Sequence, residues 1–453
     1  MEIPGITTAK TTDTTSKGCG KMDSIWNENV VQPSFPTMPG SMKTDVLIIG
    51  GGMAGLLCAH RLKKAGVDCV LVEAKKICDG VTGDTTAKIT LQHGLIYDKL
   101  IKQFGLEKAQ MYLHAQMRAM REYSRLCLDI SCDYEQQDSF VYSIHDQARI
   151  EAEVTALNRL GCKAEFSQAK SLPFPVAGAV RVKGQAQLHP LKFAFEIAKD
   201  LPIYENTKVI EMMPGKALTN RGQIYCKKII VATHFPILNK HGSYFLKLYQ
   251  HRSYVLGLKN AQAMDGMYVD ADKKGLSFRN HGDLLLLGGG GHRTGKTGGN
   301  WRELEEFSHK YYPSAQIVSK WATQDCMSLD SVPYIGQYSK DTSDLYVATG
   351  FNKWGMTASM VSAMILADLV QDKPSEYTPV FSPSRSILRP QLAVNAFESI
   401  MGILKPTVPR CPHLGCALKY NKAEHSWDCP CHGSRFSESG QVINNPATDD
   451  KKM

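Results

Sequence analysis

The chain has 453 residues, 43% of them hydrophobic and 21% charged, so it can bury a sizeable core, and wholesale disorder or a coiled coil is excluded. Lys and Arg exceed Asp and Glu by 53 − 44 = +9 without a dense basic run, which fits an acidic partner or substrate and does not indicate nucleic acid. The most apolar run, 46–59, is interrupted by Gly50, Gly51, Gly52 and Gly55, so no stretch approaches the roughly 18 apolar residues of a membrane span.

Residues 1–24 are rich in Thr, Lys and Gly, lack apolar periodicity and read as a disordered leader. An odd total of 13 cysteines, mostly scattered, and no secretory leader point to a reducing, cytoplasmic setting. Four of the cysteines, however, crowd into 21 residues near the C-terminal end and need their own explanation.

The first informative segment is Asp45-Val-Leu-Ile-Ile-Gly50-Gly-Gly52-Met-Ala54-Gly55. It reads as an apolar strand running into glycines, followed by a helix over 56–65. Gly50 permits the tight turn, Gly52 lets the backbone approach a pyrophosphate, and Gly55 lets helix and strand pack closely. The helix N-terminus offers amide donors to phosphate. A second strand over 68–72 ends in Glu73, 23 residues after Gly50, where a carboxylate can accept hydrogen bonds from an adenosine ribose. Strand, turn, helix, strand and acid in that order predict a dinucleotide site. The hydroxyl-rich loop 80–94, with Thr82, Thr85, Thr86, Ala87 and His93, can continue along the cofactor.

From Thr44 to Val370 the chain resembles the FAD-dependent oxidoreductases of the D-amino-acid oxidase and glycine/sarcosine oxidase superfamily. The pieces that carry the likeness are the glycine fingerprint, Gln187-Leu-His189-Pro190, the strands expected over 203–209 and 229–233, and Asp330-Ser-Val-Pro333-Tyr-Ile-Gly336. A strand over 345–348 and the turn Gly350-Phe351-Asn352-Lys353-Trp354-Gly355-Met356 complete it. The resemblance implies a Rossmann-type α/β FAD-binding domain with an interleaved antiparallel-sheet substrate domain over 25–375. The FAD-binding parts would be 44–100, 185–235 and 325–372. It further implies cofactor contacts at Gly50, Gly52, Ala54, Gly55 and Glu73, at Thr82, Thr85, Thr86 and Ala87, and at Val209, Gly350, Gly355 and Met356. The last turn would lie against the flavin ring, where the N-terminal dipole of a helix over 357–369 suits negative charge. Lys353, His93, Arg252 and Tyr254 are the polar groups that could face a substrate; a guanidinium and a phenol suit a carboxylate.

The string Gly290-Gly-His-Arg-Thr-Gly295-Lys296-Thr297 satisfies the phosphate-loop pattern, but Gly298-Gly299-Asn300 stand where that loop must open into a helix, so it is set aside. Residues 376–404 read as a Pro/Ser linker and one amphipathic helix, with Phe397, Ile400, Met401 and Leu404 at helical spacing.

The C-terminal cluster reads Cys411-Pro-His413-Leu-Gly-Cys416, then Cys429-Pro-Cys431-His432-Gly433-Ser434. C-x-H, fifteen residues, C-x-x-H resembles the Rieske 2Fe-2S signature. The resemblance implies that Cys411 and Cys429 hold one iron and His413 and His432 the other. Cys416 and Cys431 match the disulfide pair of many such proteins, and Ser434 matches a hydroxyl that bonds a cluster sulfur. Phe436 stands where high-potential members often carry Tyr, so an intermediate potential is expected. The strands that usually precede the first loop are missing, which implies a small, truncated all-β module over 405–453, reduced to a hairpin of 417–420 against 425–429 and leaning on the flavoprotein. Zinc is the competing reading, but four Cys and two His exceed what one zinc needs.

A two-electron flavin joined to a one-electron cluster suggests a relay. The expected enzyme oxidises a small-molecule amine or amino acid at FAD and passes electrons through the cluster to an external one-electron acceptor. The alternative is a reductase in which an external donor, NAD(P)H or a carrier, feeds electrons in; it would normally need a second dinucleotide fingerprint, and the glycines 288–291 lack that context. A third reading makes the C-terminal module a docking or redox-sensing element.

Overall fold

The computed structural model describes residues 24–238, 241–272, 275–406 and 409–451. The expected leader falls outside the described residues except for Ser24, which is buried.

Among the described residues there are three sheets, and the first has eight strands in the order Tyr334–Gln337, Leu345–Thr349, Gly222–Val231, Met42–Ile49, Cys69–Val72 and Ile203–Tyr204, with Val209–Met213 and Lys216–Thr219 extending it from Gly222–Val231. Its centre is parallel: Met42–Ile49 lies between Gly222–Val231 and Cys69–Val72. Covered on both faces, such a strand must be apolar continuously rather than alternately, and Val46, Leu47, Ile48 and Ile49 are all buried. The segment expected as one strand over 203–209 is split, because Glu205 to Lys208 leave the sheet between Ile203–Tyr204 and Val209–Met213. Helix Met53–Lys64 leaves the sheet at the glycines and packs against Gly355–Leu369. The latter is apolar nearly all round, as a helix buried in a large core must be.

The second sheet has nine strands, almost all antiparallel, including Leu248–Lys259 between Gln316–Ser328 and Leu284–Arg293. It forms the wall interleaved between the pieces of the first.

The segment expected as a linker is held down. Helix Thr378–Phe381 stacks Phe381 on Tyr112, and Arg385 donates to both carboxylate oxygens of Asp330 at 2.7 and 2.8 Å. The Asp330-x-x-Pro-x-x-Gly string therefore anchors the chain that leads to helix Pro390–Leu404.

The C-terminal module is larger than a hairpin. Lys419–Asn421 pairs with Ser426–Asp428 as expected in outline, and the meander continues through Arg435–Ser437 and Val442–Asn444 as a four-stranded antiparallel sheet. Strands of three residues give too little alternation to be read from sequence. The phosphate-loop look-alike also resolves: helix Asn300–Tyr311 begins only after the glycines, and the loop receives the module. A Cβ on Gly295 would stand 2.6 Å from Pro430 N. Arg293 donates to the carbonyls of Pro430 and Cys431, and Lys296 pairs with Glu398 at 2.7 Å.

Candidate active site and cluster centre

A cavity of about 870 Å³ opens where the strand Met42–Ile49 ends, large for a ligand pocket and suited to a dinucleotide. Of the residues expected to hold FAD, Gly50, Gly52, Ala54, Glu73, Thr82, Thr85, Thr86, Val209, Gly355 and Met356 line it; Gly55, Ala87 and Gly350 do not. The three glycines of the fingerprint do different work. Gly50 has φ +111°, and a Cβ there would stand 2.6 Å from Ala232 O. A Cβ on Gly55 would lie 1.9 Å from Gly50 O, so Gly55 permits the close helix–strand approach. At Gly52 the nearest atom to a Cβ is Thr82 Oγ1 at 3.3 Å, leaving backbone open to the cavity. Thr82 Oγ1 accepts from Met53 N at 3.0 Å and fixes the turn. Glu73 Oε2 accepts from Gly51 N at 2.7 Å, so the acid at the second strand end faces the fingerprint. Ala87 and Gly350 both have positive φ and act behind the wall, where Ala87 O accepts from the buried Arg279.

The four polar candidates separate. Lys353 lines the cavity, and burial pushes its ammonium pKa down while Asp325 pulls it back up. His93 lines it too, but is committed: its ring nitrogens lie 2.6 Å from the Tyr112 hydroxyl and 2.9 Å from Thr357 Oγ1, and it stacks on Trp354. Burial lowers its pKa to about 3, so the ring is neutral. Arg252 does not line the cavity; its guanidinium is bound two-pronged to Glu424 of the C-terminal module, which removes it as a carboxylate clamp. The Tyr254 hydroxyl is divided between His292 Nε2 at 2.9 Å and Glu424 at 3.1 Å.

Sequence reading missed the polar wall around Lys353. His251 and Asp325 are register partners on adjacent antiparallel strands, and both line the cavity. Burial raises the Asp325 carboxyl and lowers His251 to about 2. His251 Nδ1 and Thr323 Oγ1 are buried with no hydrogen-bond partner among the described residues, so the wall has polar valence to offer a ligand. The signal was the period-two placement of 249, 251 and 253 against 327, 325 and 323, legible only once the strands are known to pair.

The cluster residues converge between the two loops of the C-terminal module. Cys411 sits with Cys429 and Ser434, which together pull its thiol pKa down to about 7 against burial, and the Ser434 hydroxyl accepts from Ala447 N at 3.0 Å. The His413 and His432 rings lie 5.0 Å apart and nearly perpendicular. Burial pushes both imidazoles down, to about 4 and about 3, so they are neutral as metal ligands must be. His432 Nε2 contacts Ser399 Oγ at 3.4 Å, whereas its Nδ1 is buried without a partner among the described residues. Two thiols, two neutral imidazoles and a free ring nitrogen fit a 2Fe-2S centre. Cys416 and Cys431 are joined by a disulfide. Their sulfurs fall within 4.8 Å of Cys429 Sγ, but two of those three are thereby removed from any zinc set.

The module closes over the cavity. Val442, Asn444, Asn445 and Thr448 are among the cavity lining, Asn445 Nδ2 donates to Phe235 O at 2.8 Å, and Gln250 donates to Asn445 O at 2.9 Å.

Comparison with known proteins accords with this geometry. Residues 45–369 match the family described as FAD dependent oxidoreductase, and residues 384–452 match the Rieske [2Fe-2S] domain, starting earlier than the module boundary expected at 405. A Rieske 2Fe-2S iron-sulfur protein of Bacillus subtilis (strain 168), YhfW, is 33% identical over 94% of this chain and 96% of its own. Gamma-glutamylputrescine oxidoreductase of Escherichia coli (strain K12) is 25% identical over 74% of this chain and 86% of its own. Glycine oxidase from Geobacillus kaustophilus superposes with a TM-score of 0.64 at 19% identity, over 76% of this chain and 99% of its own, and shares the fold. The chain thus belongs to the FAD dependent oxidoreductases and carries a Rieske [2Fe-2S] domain at its C-terminal end.

Proposed function

We propose that the protein oxidises an amine or amino acid in the cavity and passes the electrons, one at a time, through the 2Fe-2S centre to an external acceptor. When bound, FAD supplies a two-electron hydride acceptor and the cluster a one-electron carrier. The observation that carries this reading is the shared wall. Residues 442–450 of the cluster module help enclose the cavity of the dinucleotide glycines. Gln324 donates to Gly433 O in the second cluster loop at 2.9 Å, while its neighbour Asp325 faces the cavity.

The amine class is supported by the names of two relatives, gamma-glutamylputrescine oxidoreductase and glycine oxidase. It suits the wall as well. Lys353 gives the cavity a cation for a substrate carboxylate, and His251 Nδ1 and Thr323 Oγ1 supply unpaired polar atoms beside it. The reading keeps the candidate ligands Cys411, His413, Cys429 and His432 for the cluster and the cavity-lining glycines for FAD. A cytoplasmic setting suits the buried cysteines that stand unpaired outside the module among the described residues.

The test is anaerobic addition of amino acids and of secondary and tertiary amines to the holoenzyme, following flavin absorbance together with the electron spin resonance of the reduced cluster. Bleaching of the flavin followed by the cluster signal is the expected result. Reduction by NADH alone, with every amine inert, would replace the reading by a reductase.

A further inference from the structure

Helix Pro390–Leu404 is mounted inside out. Its polar residues point into the protein: Asn395 is buried, accepting from Arg293 at 3.0 Å and donating to Leu246 O at 3.0 Å, Glu398 pairs with Lys296, and Ser399 touches His432. Gly402 presses on the disulfide, where a Cβ would stand 2.4 Å from Cys431 Sγ. Facing out are Val394, Phe397, Ile400, Met401, Ile403 and Leu404, exposed by 47, 61, 54, 41, 49 and 70%. At about 100° per residue these six span roughly half the helix circumference, and Ala393 is the other exposed residue of that arc, so no polar side chain interrupts it. Leu388 before the helix, 80% exposed, and Leu414 in the first cluster loop, 39% exposed, belong to the same region.

An uninterrupted apolar arc of this kind does not stand in water without a function. Its charge setting identifies the occupant. Between 384 and 422 the chain carries Arg389, Lys405, Arg410, Lys419 and Lys422, besides Arg385 that is held inward by Asp330, against one carboxylate, Glu398, which is already paired inward. Arg389 precedes the first turn, and Lys405 and Arg410 follow the last, so both ends are basic. A second copy packed on this helix, parallel or antiparallel, would set like charges together. A protein partner would meet a polar rim around an apolar centre, which the arc lacks along its length. An apolar strip ended by cations matches acyl chains beneath anionic headgroups.

We propose that helix Pro390–Leu404 seats the protein on an anionic lipid surface, lying in the plane of the interface. It does not cross: among the described residues no helix is long and apolar enough to span a membrane. Because its inner face touches His432 and the Cys416–Cys431 disulfide, seating it brings the cluster loops to about one helix diameter, ~10 Å, from the lipid. The one-electron acceptor would then be reached at the membrane surface.

The experiment is co-sedimentation of the full-length holoprotein with vesicles of phosphatidylcholine alone and of phosphatidylcholine with phosphatidylglycerol. Binding to the anionic vesicles, weakened by salt, is expected. Phe397→Glu with Ile400→Glu should weaken it about a hundredfold, roughly tenfold for each large apolar side chain withdrawn, while flavin and cluster spectra stay unchanged. Phe397→Trp gives a measurement free of any folding defect: its emission should shift to the blue on vesicles and be quenched by brominated acyl chains. Protein that stays in the supernatant with both vesicles, or a double variant that binds as well as the parent, overturns the proposal. So does a dimer in sedimentation velocity that the double substitution splits, and an acidic protein that captures the parent while vesicles do not.

Discussion

Arg252 and Glu424 form a buried two-pronged ion pair across the junction between flavoprotein and cluster module, Nε donating to Oε1 at 3.0 Å and Nη2 to Oε2. Arg435 adds a third arm from within the module, donating to Glu424 Oε2 at 2.9 Å. The side chains are 3, 9 and 5% exposed, so water does little to screen them. Such a contact specifies a docking position, because a shift of either partner strands a charge out of water.

Glu424→Gln should therefore loosen the module by about 3–5 kcal/mol, the usual cost of an uncompensated buried charge. The sign with pH is fixed by the carboxyl. Burial disfavours its ionisation, but Arg252 and Arg435 more than offset this and hold it down at about 2. A depressed folded pKa contributes fully above the unfolded value near ~4.3 and is lost as pH falls through the folded one. Urea midpoints followed by cluster absorbance should fall between about pH 4 and 2 in the parent, and Glu424→Gln should lack that slope. Equal midpoints at neutral pH would show that the pair contributes nothing to docking.

The fingerprint glycines can be told apart. Gly55→Ala puts a Cβ on Gly50 O, backbone that cannot step aside, and should cost fold stability with or without cofactor. Gly52→Val meets only Thr82 Oγ1 and projects into open cavity, so it should preserve apoprotein stability and lose FAD. Thermal melting and the flavin content of purified protein separate the two. Loss of FAD from both with no difference in apoprotein stability would merge the roles.

What sequence conveyed well is what is local. The strand-turn-helix at Gly50 and the two cluster strings at Cys411 and Cys429 hold their chemistry within a few residues of one another. What it missed depends on pairing across the chain. Arg252 looked like a carboxylate clamp because its type suits one, but its carboxylate is Glu424, 172 positions on. His251 and Asp325 face each other only because two strands pair in one register. Helix Pro390–Leu404 has an ordinary amphipathic pattern, and periodicity does not say which face is inside; Asn395 turned inward decides it. The phosphate-loop look-alike was set aside because glycines follow it; a helix does begin at Asn300, and the loop's role as the seat of Pro430 needed the module in place.

The Cys416–Cys431 disulfide ties the two cluster loops together and closes a loop of sequence separation 15 around the hairpin of Lys419–Asn421 and Ser426–Asp428. Closing a loop of that size contributes about 3 kcal/mol, largely by restricting the unfolded chain. The paired change Cys416→Ala with Cys431→Ala should leave the iron content of fresh protein intact, since neither residue is in the expected ligand set. It should lower the temperature at which cluster absorbance is lost, with the flavin transition much less affected. Complete absence of iron in the fresh variant would make one of these cysteines a ligand instead.

Lys353 and Asp325 should set the pH dependence of substrate oxidation. Burial lowers the Lys353 pKa and Asp325 raises it, so in the parent the carboxylate keeps the ammonium charged to higher pH than burial alone would allow. Lys353→Met removes the cation and should reduce kcat/KM for anaerobic flavin reduction about 10–100-fold, the range for one hydrogen bond to a charged group. The flavin content should be kept. Asp325→Asn leaves the ammonium with burial alone, so its pKa falls further and the alkaline limb of the kcat/KM profile must move to lower pH. In Lys353→Met that limb should vanish. A limb that stays in place in both variants would assign the titration to another group and take Lys353 out of substrate binding.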